Sequence, residues 1–183
     1  MARLRFLGPL CALMSLSACS VVPSPDFPRE HNVDLDRYMG TWYVIANIPP
    51  AKTKHAYNAI ERYTRGEGNR IDVEFTYREG GFDGEKHTMT PTGSVIDDTG
   101  NAVWAMHFYW VLRLQFVISY VSPDYDSTIV AREARDYVWI MARTPQISDE
   151  HYQALVQRVA DLGYDTEKLR KVPQQPLAER DDL

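Results

Sequence analysis

The sequence has little cysteine and no strongly basic segment. Only two of its 183 residues are Cys, too few for the disulfide framework that holds small secreted scaffolds together. No run of Lys or Arg is longer than two residues, and the formal net charge is −5 at neutral pH. Because nucleic-acid backbones attract clustered positive charge, this composition excludes a nucleic-acid-binding protein.

The sequence also lacks the short motifs of common catalytic and metal sites. It has no Gly-x-Ser-x-Gly nucleophile turn, no His-Glu-x-x-His helix, no paired Cys metal motif and no glycine-rich phosphate loop. Its five His residues are scattered without ligand spacing. We therefore expect no catalytic residue, no metal and no cofactor, with a dispersed hydrolase triad as the alternative.

The chain does have enough apolar surface for a folded domain. Hydrophobic residues make up 44% of the sequence and aromatic residues 11%. Disordered chains are more polar and more highly charged, and a chain of this length usually forms one domain. We expect a single folded domain, with disorder confined to the ends.

The first eighteen residues resemble the signal peptide of a lipoprotein. Arg3 and Arg5 precede an apolar stretch over residues 6–16, and small residues follow it, an order that is typical of export signals. Residues 16–19, Leu-Ser-Ala-Cys, resemble a bacterial lipobox, which predicts removal of the signal and lipidation of Cys19. The alternatives are an ordinary signal peptide with a chance Cys, or a retained membrane anchor.

This interpretation separates the chain into two terminal segments and a folded domain. Residues 1–18 are the expected signal, residues 19–32 the lipidated N-terminus and tether, and residues 177–183 a loose C-terminal tail. Several prolines in the tether favour an extended chain. In bacterial lipoproteins that resemble this one, a residue other than Asp after the Cys, here Ser20, implies sorting to the outer membrane. We expect the domain to face the periplasm, with the cell surface as the alternative.

Residues 33–176 alternate short strand patterns with turn signals, which is typical of an all-β barrel or sandwich. Ile71, Val73 and Phe75, for example, alternate with polar residues, so that strand has one apolar face. The predicted strands cover residues 42–48, 57–64, 70–77, 86–90, 93–97, 102–109, 115–121, 127–132 and 137–143.

A single amphipathic helix is predicted after the strands. Ser148 is a favourable N-cap, and Gly163 is a favourable residue for the helix end. The apolar residues between them recur at helical spacing: Tyr152, Leu155, Val156, Val159 and Leu162. We expect this stripe to pack on the outside of the sheet. Periodicity alone does not choose between a closed barrel and a sandwich.

Two motifs in the strand region resemble the lipocalin family. Residues 40–42, Gly-Thr-Trp, resemble the signature that opens the first lipocalin strand, and residues 135–145 resemble the motif that ends the last strand in an Arg. The middle lipocalin motif matches only in part, at residues 122–125. Together with the lipobox and the helix, these motifs resemble a bacterial outer-membrane lipocalin over residues 33–176. The resemblance implies an eight-stranded antiparallel up-and-down barrel with a C-terminal α-helix packed on the outside.

The resemblance also implies structural roles. In lipocalins the signature Trp lies at the closed end of the barrel and the late Arg packs across it, which assigns Gly40, Trp42 and Arg143 to the barrel base. A guanidinium stacked on an indole gains cation–π attraction while its N–H groups reach backbone carbonyls. The alternative is that Trp42 is an ordinary core residue and Arg143 a surface residue.

An eight-stranded barrel can hold one small ligand, and strand alternation predicts which side chains point into it. The cavity candidates are Tyr57, Glu61, Tyr63, Val73, Phe75, Tyr77, Trp104, Met106, Phe108 and Phe116. The same alternation points Ala46, Ile48 and Tyr120 inward. A slip of one residue would exchange the two faces of a strand. A lining of this kind suits an acyl chain.

Two features near the expected cavity have alternative interpretations. An inward Glu61 carboxylate needs a partner. The partner is either a cationic ligand headgroup or a basic residue of the protein, Arg113 or Lys86.

The apolar residues 109–112 lie between two predicted strands. If they form an exposed loop, they contact the membrane or a second copy of the chain, as in a homodimer. The alternative is that they fold over the barrel mouth.

The resemblance implies a membrane-anchored lipocalin that binds a fatty acid or lysophospholipid. Its expected role is storage or transport of that lipid in outer-membrane maintenance, with stress as one setting. The first alternative is an envelope lipoprotein that acts through protein contacts and has a filled barrel, which a cavity of several hundred Å³ would argue against. The second is an enzyme that modifies lipids in the pocket.

Overall fold

The structure, a computed structural model, describes residues 21–108 and 112–180. Over these residues it is mostly antiparallel β-sheet with one long helix. The strands are β1 (Gly40–Ile48), β2 (Ala56–Arg65), β3 (Arg70–Glu79), β4 (Lys86–Met89), β5 (Thr92–Val95), β6 (Val103–Phe108), β7 (Leu112–Val121), β8 (Ser127–Ala131), β9 (Val138–Ala142) and β10 (Arg170–Lys171). The helices are α1 (Leu35–Tyr38) and α2 (Asp149–Asp161), and single helical turns lie at Ala51–Thr53, Thr166–Lys168 and Leu177–Glu179.

The sheet closes on itself, because β1 pairs with both β2 and β9. Consecutive strands pair in order around the barrel. The fourth barrel strand consists of β4 and β5, which both pair with β3 and are separated by Thr90 and Pro91. A proline has no N–H to donate to a ladder and so interrupts the pairing there. Within the described residues, the expectation of an eight-stranded up-and-down barrel is confirmed.

Helix α2 packs on the outside of this barrel, as predicted. The Ser148 side chain accepts a hydrogen bond from the His151 N–H, and Asp149 and Glu150 lie in the first turn, where the helix dipole favours negative charge. Its apolar stripe joins outward-facing strand residues in a second hydrophobic cluster. None of the helices in residues 21–108 and 112–180 is long and apolar enough to cross a membrane.

Three β-bulges turn some side chains that were predicted to point into the barrel to its outer face. The register shifts between Val44 and Ala46 in β1, between Tyr57 and Ile60 in β2, and between Ile118 and Tyr120 in β7. A bulge inserts one residue and moves the side chains beyond it to the other face.

The predictions that Tyr57, Ala46, Ile48 and Tyr120 point inward are therefore wrong. Ala46 and Ile48 belong to the outer cluster under α2, Tyr120 lies under the Arg158 guanidinium, and Tyr57 packs its ring on Phe82.

The two ends of the barrel differ. At one end, here called the closed end, α1 and the turns at residues 66–69, 96–102 and 122–126 meet. At the opposite, open end lie the connections at residues 49–55, 80–85 and 132–137. The last described pairing of β6 with β7, Phe108 with Leu112, also lies towards the open end. Residues 109–111, and with them the predicted membrane or dimer contact at residues 109–112, lie outside the described side chains.

The segment before the barrel runs along its outer surface from the open to the closed end. The Ser24 N–H donates to the Glu133 carboxylate at 3.1 Å, and Phe27 is buried. The Val33 N–H then donates to the Gly100 carbonyl at 2.8 Å. From Ser24 onward, the segment that was expected to be an extended tether lies against the barrel.

The C-terminal segment fills a gap between β1 and β2. These strands pair only near the closed end, and beyond that the Val172 N–H donates to the Ile45 carbonyl. The Gln174 amide donates to the carbonyls of Val44 and Ala59, both at 2.9 Å. Residues 177–180, which were expected to be loose, follow this contact. Arg180 donates to the Asn58 carbonyl at 3.1 Å.

Candidate functional site

The closed end of the barrel is built around Arg143. Its guanidinium carbon lies 3.7 Å from the centroid of the Trp42 ring. Its N–H groups donate to the carbonyls of Thr41 at 2.8 Å, Arg37 at 2.7 Å and Tyr125 at 3.2 Å. One side chain thus ties together β1, α1 and the turn before β8. The structure brings Trp42 and Arg143 together, as the resemblance implied.

Gly40 adopts a left-handed backbone conformation next to Arg143. Its φ is +92°, and a Cβ at this position would lie 3.5 Å from an Arg143 guanidinium nitrogen. A side chain here would therefore be strained by the backbone conformation, although a Cβ would make only an ordinary contact with the arginine. Gly40 lies at the barrel base together with Trp42 and Arg143.

An aromatic layer fills the barrel above the arginine. The Tyr38 ring packs against Trp42 at 5.1 Å and against Trp104 at 5.6 Å between centroids. Trp104 stacks on Phe116 at 4.9 Å, and Tyr63 packs edge-on against Trp104 at 5.5 Å. These rings form a solid floor, so any cavity must lie between this layer and the open end.

Replacement of Arg143 should destabilise the barrel from its closed end. Arg143→Ala removes the stacking on Trp42 and leaves several backbone carbonyls unpaired, so we expect a loss of roughly 1–3 kcal/mol in the free energy of unfolding. Urea unfolding measures this loss. Arg143→Lys, which keeps the charge but not the planar fork, should lose a similar amount, and an unchanged stability in both variants would contradict the assigned role.

A cavity extends from the open end down to the aromatic layer. Its volume is about 90 Å³, so it is a narrow channel. The lining consists of Pro50, Thr53, Glu61, Tyr63, Phe75, Met89, Pro91, Met106, Phe108, Leu114, Gln115, Phe116, Arg132, Trp139 and Met141.

The structure places the ten cavity candidates in three groups. Val73, Tyr77 and Trp104 belong to the inner cluster but do not line the channel. Tyr57 points to the outer face of the barrel, because of the bulge between Tyr57 and Ile60. The candidates that do line the channel are Glu61, Tyr63, Phe75, Met106, Phe108 and Phe116.

Several lining residues were missed by the sequence analysis. Trp139 and Met141 alternate on β9, and Leu114 has the same parity as Phe116 on β7. Extending the alternation to these positions would have found all three. Pro50 and Thr53, by contrast, come from a connection whose path no periodicity predicts.

Glu61 is an acidic group inside the channel. Its side chain is partly buried, and loss of solvation raises the pKa of its carboxyl to about 8. No opposite charge contributes to this shift. The predicted internal pair with Arg113 or Lys86 is wrong, because neither charge contributes to the pKa shift of Glu61 and both side chains are exposed in the described structure. A carboxyl with a pKa near 8 is mostly protonated at neutral pH.

Other polar groups lie nearer the open end. Arg132 lines the channel where β8 ends, and its guanidinium donates to the Asp136 carboxylate at 2.9 Å. Its Nε is buried and has no hydrogen-bond partner among the described residues. Gln115 and Thr53 lie in the same lining. No group of three or more metal-ligating side chains occurs in the described parts of the chain.

Comparison with protein families identifies this architecture. The model of the lipocalin-like domain matches residues 33–174. The chain belongs to the lipocalin family. This lipocalin is 31% identical over 162 residues to temperature-induced lipocalin-1 of Arabidopsis thaliana, with 78% of this chain and 80% of the relative covered. It is 28% identical to the outer membrane lipoprotein Blc of Escherichia coli strain K12, with 95% and 98% covered.

A third relative and two solved structures agree with this assignment. Bovine apolipoprotein D is 26% identical, with 79% of each chain covered. Insecticyanin from the tobacco hornworm Manduca sexta superposes with a TM-score of 0.64 at 17% identity, covering 84% of the lipocalin and 92% of the insecticyanin chain. Lobster apocrustacyanin A1 gives 0.61 at 14% identity, covering 84% and 94%. At these identities the two structures support the fold alone.

The buried carboxyl should make the stability of this lipocalin depend on pH. Glu61 ordinarily titrates near 4.5, so between about pH 5 and 8 the folded chain holds a proton that the unfolded chain has lost, and stability falls as pH rises. Glu61→Gln removes this loss. We expect the variant and the wild type to have the same free energy of unfolding near pH 4. Near pH 8 the free energy of unfolding of the variant should exceed that of wild type by on the order of 2–4 kcal/mol.

Urea unfolding across this pH range measures the effect. Glu74→Gln is a matched control, because Glu74 is half exposed on the outer face of β3. It should show no gain that grows with pH. Stability curves of Glu61→Gln and wild type that run parallel over the whole range would contradict the assignment.

Proposed function

We propose that this lipocalin binds a fatty acid or a lysophospholipid in its barrel and stores or carries it during maintenance of the outer membrane, including under stress. The observation that carries the proposal is the narrow apolar channel that opens at one end and stops at the aromatic layer. A single acyl chain matches the apolar lining of this channel. Burial of about 400 Å² of chain at roughly 25 cal/mol/Å² supplies on the order of 10 kcal/mol before the entropy lost on association.

The polar groups of the open end support an amphiphilic ligand. Arg132 has a buried, unpartnered Nε beside the channel, and a carboxylate or phosphate there would accept its hydrogen. The apolar chain would then extend inward past Phe108 and Met106 towards Phe116. The cavity of about 90 Å³ does not reach the several hundred Å³ that would argue against a filled barrel. The preference for lipid binding over a barrel that acts through protein contacts therefore rests on the apolar lining and on similarity to a relative named as an apolipoprotein.

Binding to the delipidated protein tests the proposal. We expect saturable binding of one palmitoyl lysophospholipid or one palmitate per chain, with a dissociation constant in the micromolar range or below. Met106→Trp should weaken binding at least tenfold because the indole fills the channel, whereas Met106→Leu, which conserves volume, should bind normally. Titration calorimetry measures both, and circular dichroism checks the fold. The absence of saturable binding of either lipid to wild type would overturn the proposal.

We also propose that residues 1–18 are removed as the signal and that the chain is anchored to the outer membrane through a lipidated Cys19. The barrel, residues 33–176, then faces the periplasm. The lipobox pattern of residues 16–19 supports this, as does similarity to a relative named as an outer membrane lipoprotein. Ser24 contacts Glu133 at the open end, so an anchor a few residues earlier would hold the mouth of the channel near the bilayer.

Removal of the anchor should release the protein. Cys19→Ala should leave the barrel folded but move it from the membrane fraction to the soluble fraction, because the remaining chain has no acyl group to hold it. Fractionation with immunodetection measures the distribution, and Cys11→Ala serves as the control. Membrane retention of Cys19→Ala equal to that of wild type would contradict the anchor.

A further inference from the structure

The inner end of the channel contains two polar groups that the protein leaves without partners. Glu61 and Tyr63 are two residues apart on β2, so both point into the barrel. The Tyr63 hydroxyl is buried and has no hydrogen-bond partner within the described structure. The Glu61 carboxyl has none there either, and burial alone raises its pKa.

The surroundings of this pair are apolar. On the neighbouring strands, Trp42 of β1 and Phe75 of β3 lie directly opposite Glu61 in the sheet register. The ring of Tyr63 packs between Tyr38 and Trp104. Glu61 is partly buried, so a plain acyl end that displaced solvent beside it would leave its carboxyl without a partner, which costs free energy.

We infer that the inner end of the channel binds a hydroxyl or carbonyl group of the ligand through Glu61 and Tyr63, so that the preferred ligand is an amphiphile whose inserted end is itself polar. The inference rests on the proposed lipid-binding function and narrows its ligand class. An acyl chain with a hydroxyl or oxo group at its far end satisfies both ends of the channel, with its anionic group near Arg132 and its second oxygen near Glu61.

The charged and titratable groups around the pair favour a neutral ligand group over an ammonium. Tyr38 of α1 and Tyr63 of β2 face Glu61, and burial raises the pKa of both phenols, so both stay protonated. Arg143 lies behind the Trp42 ring and has its N–H groups on backbone carbonyls. A protonated Glu61 donates one hydrogen bond and accepts another, as a hydroxyl group also does.

The direct test compares fatty acids with their ω-hydroxy derivatives. Laurate, myristate and palmitate, each paired with its ω-hydroxy acid, are titrated into the delipidated wild-type protein. The three chain lengths place the terminal hydroxyl at three different depths in the channel. For at least one length we expect the hydroxy acid to bind about 3- to 10-fold more tightly than its parent, the effect of one or two added hydrogen bonds.

Two variants of Glu61 separate hydrogen bonding from packing. Glu61→Gln keeps a donor and an acceptor and should retain the preference, whereas Glu61→Leu should abolish or invert it by binding the parent acid more tightly. Glu74→Leu, on the outer face of the adjacent strand, is the control and should behave as wild type. A preference that survives in Glu61→Leu overturns the inference.

The outcomes distinguish this inference from the proposed function. If no acid binds at any length, lipid binding itself fails. If every parent acid and its hydroxy derivative bind wild type equally well, the proposed function stands and the inference about the inserted end is overturned.

Discussion

The Arg143 guanidinium, stacked on Trp42, holds the closed end of the barrel together. An eight-stranded barrel has two ends, and a ligand channel needs one of them sealed. Arg143 seals it by bonding to carbonyls of β1, α1 and the turn before β8. The aromatic layer then rests on this base, and the open space is displaced towards the other end.

Polarity is graded along the barrel axis. The floor of the channel is aromatic, its middle is lined by residues such as Met106 and Phe108, and Arg132 lies near the opening. Glu61 departs from this gradient, because it places a protonatable group just above the floor. A carrier of simple acyl chains has no need of such a group, which is why Glu61 is the residue most informative about the ligand.

The barrel, its closed end and helix α2 could be predicted from the sequence, but the β-bulges and the contacts between distant segments could not. Gly40, Trp42 and Arg143 were recognisable because their motifs lie at the ends of the first and last barrel strands, and α2 was recognisable from its cap and stripe. The orientation of Tyr57 was not, because Asn58 adopts a left-handed φ of 49° at a bulge that strand alternation cannot reveal. The gap filled by Gln174 and the missing partner of Glu61 depend on contacts between segments far apart in the chain.

A native mass spectrum of the mature protein purified from its own membranes shows what occupies the channel without any added ligand. We expect one acyl-containing molecule of low mass per chain, released on denaturation and identifiable by fragmentation. A reproducibly empty barrel, which also fails to take up added fatty acid or lysolipid, would contradict this expectation.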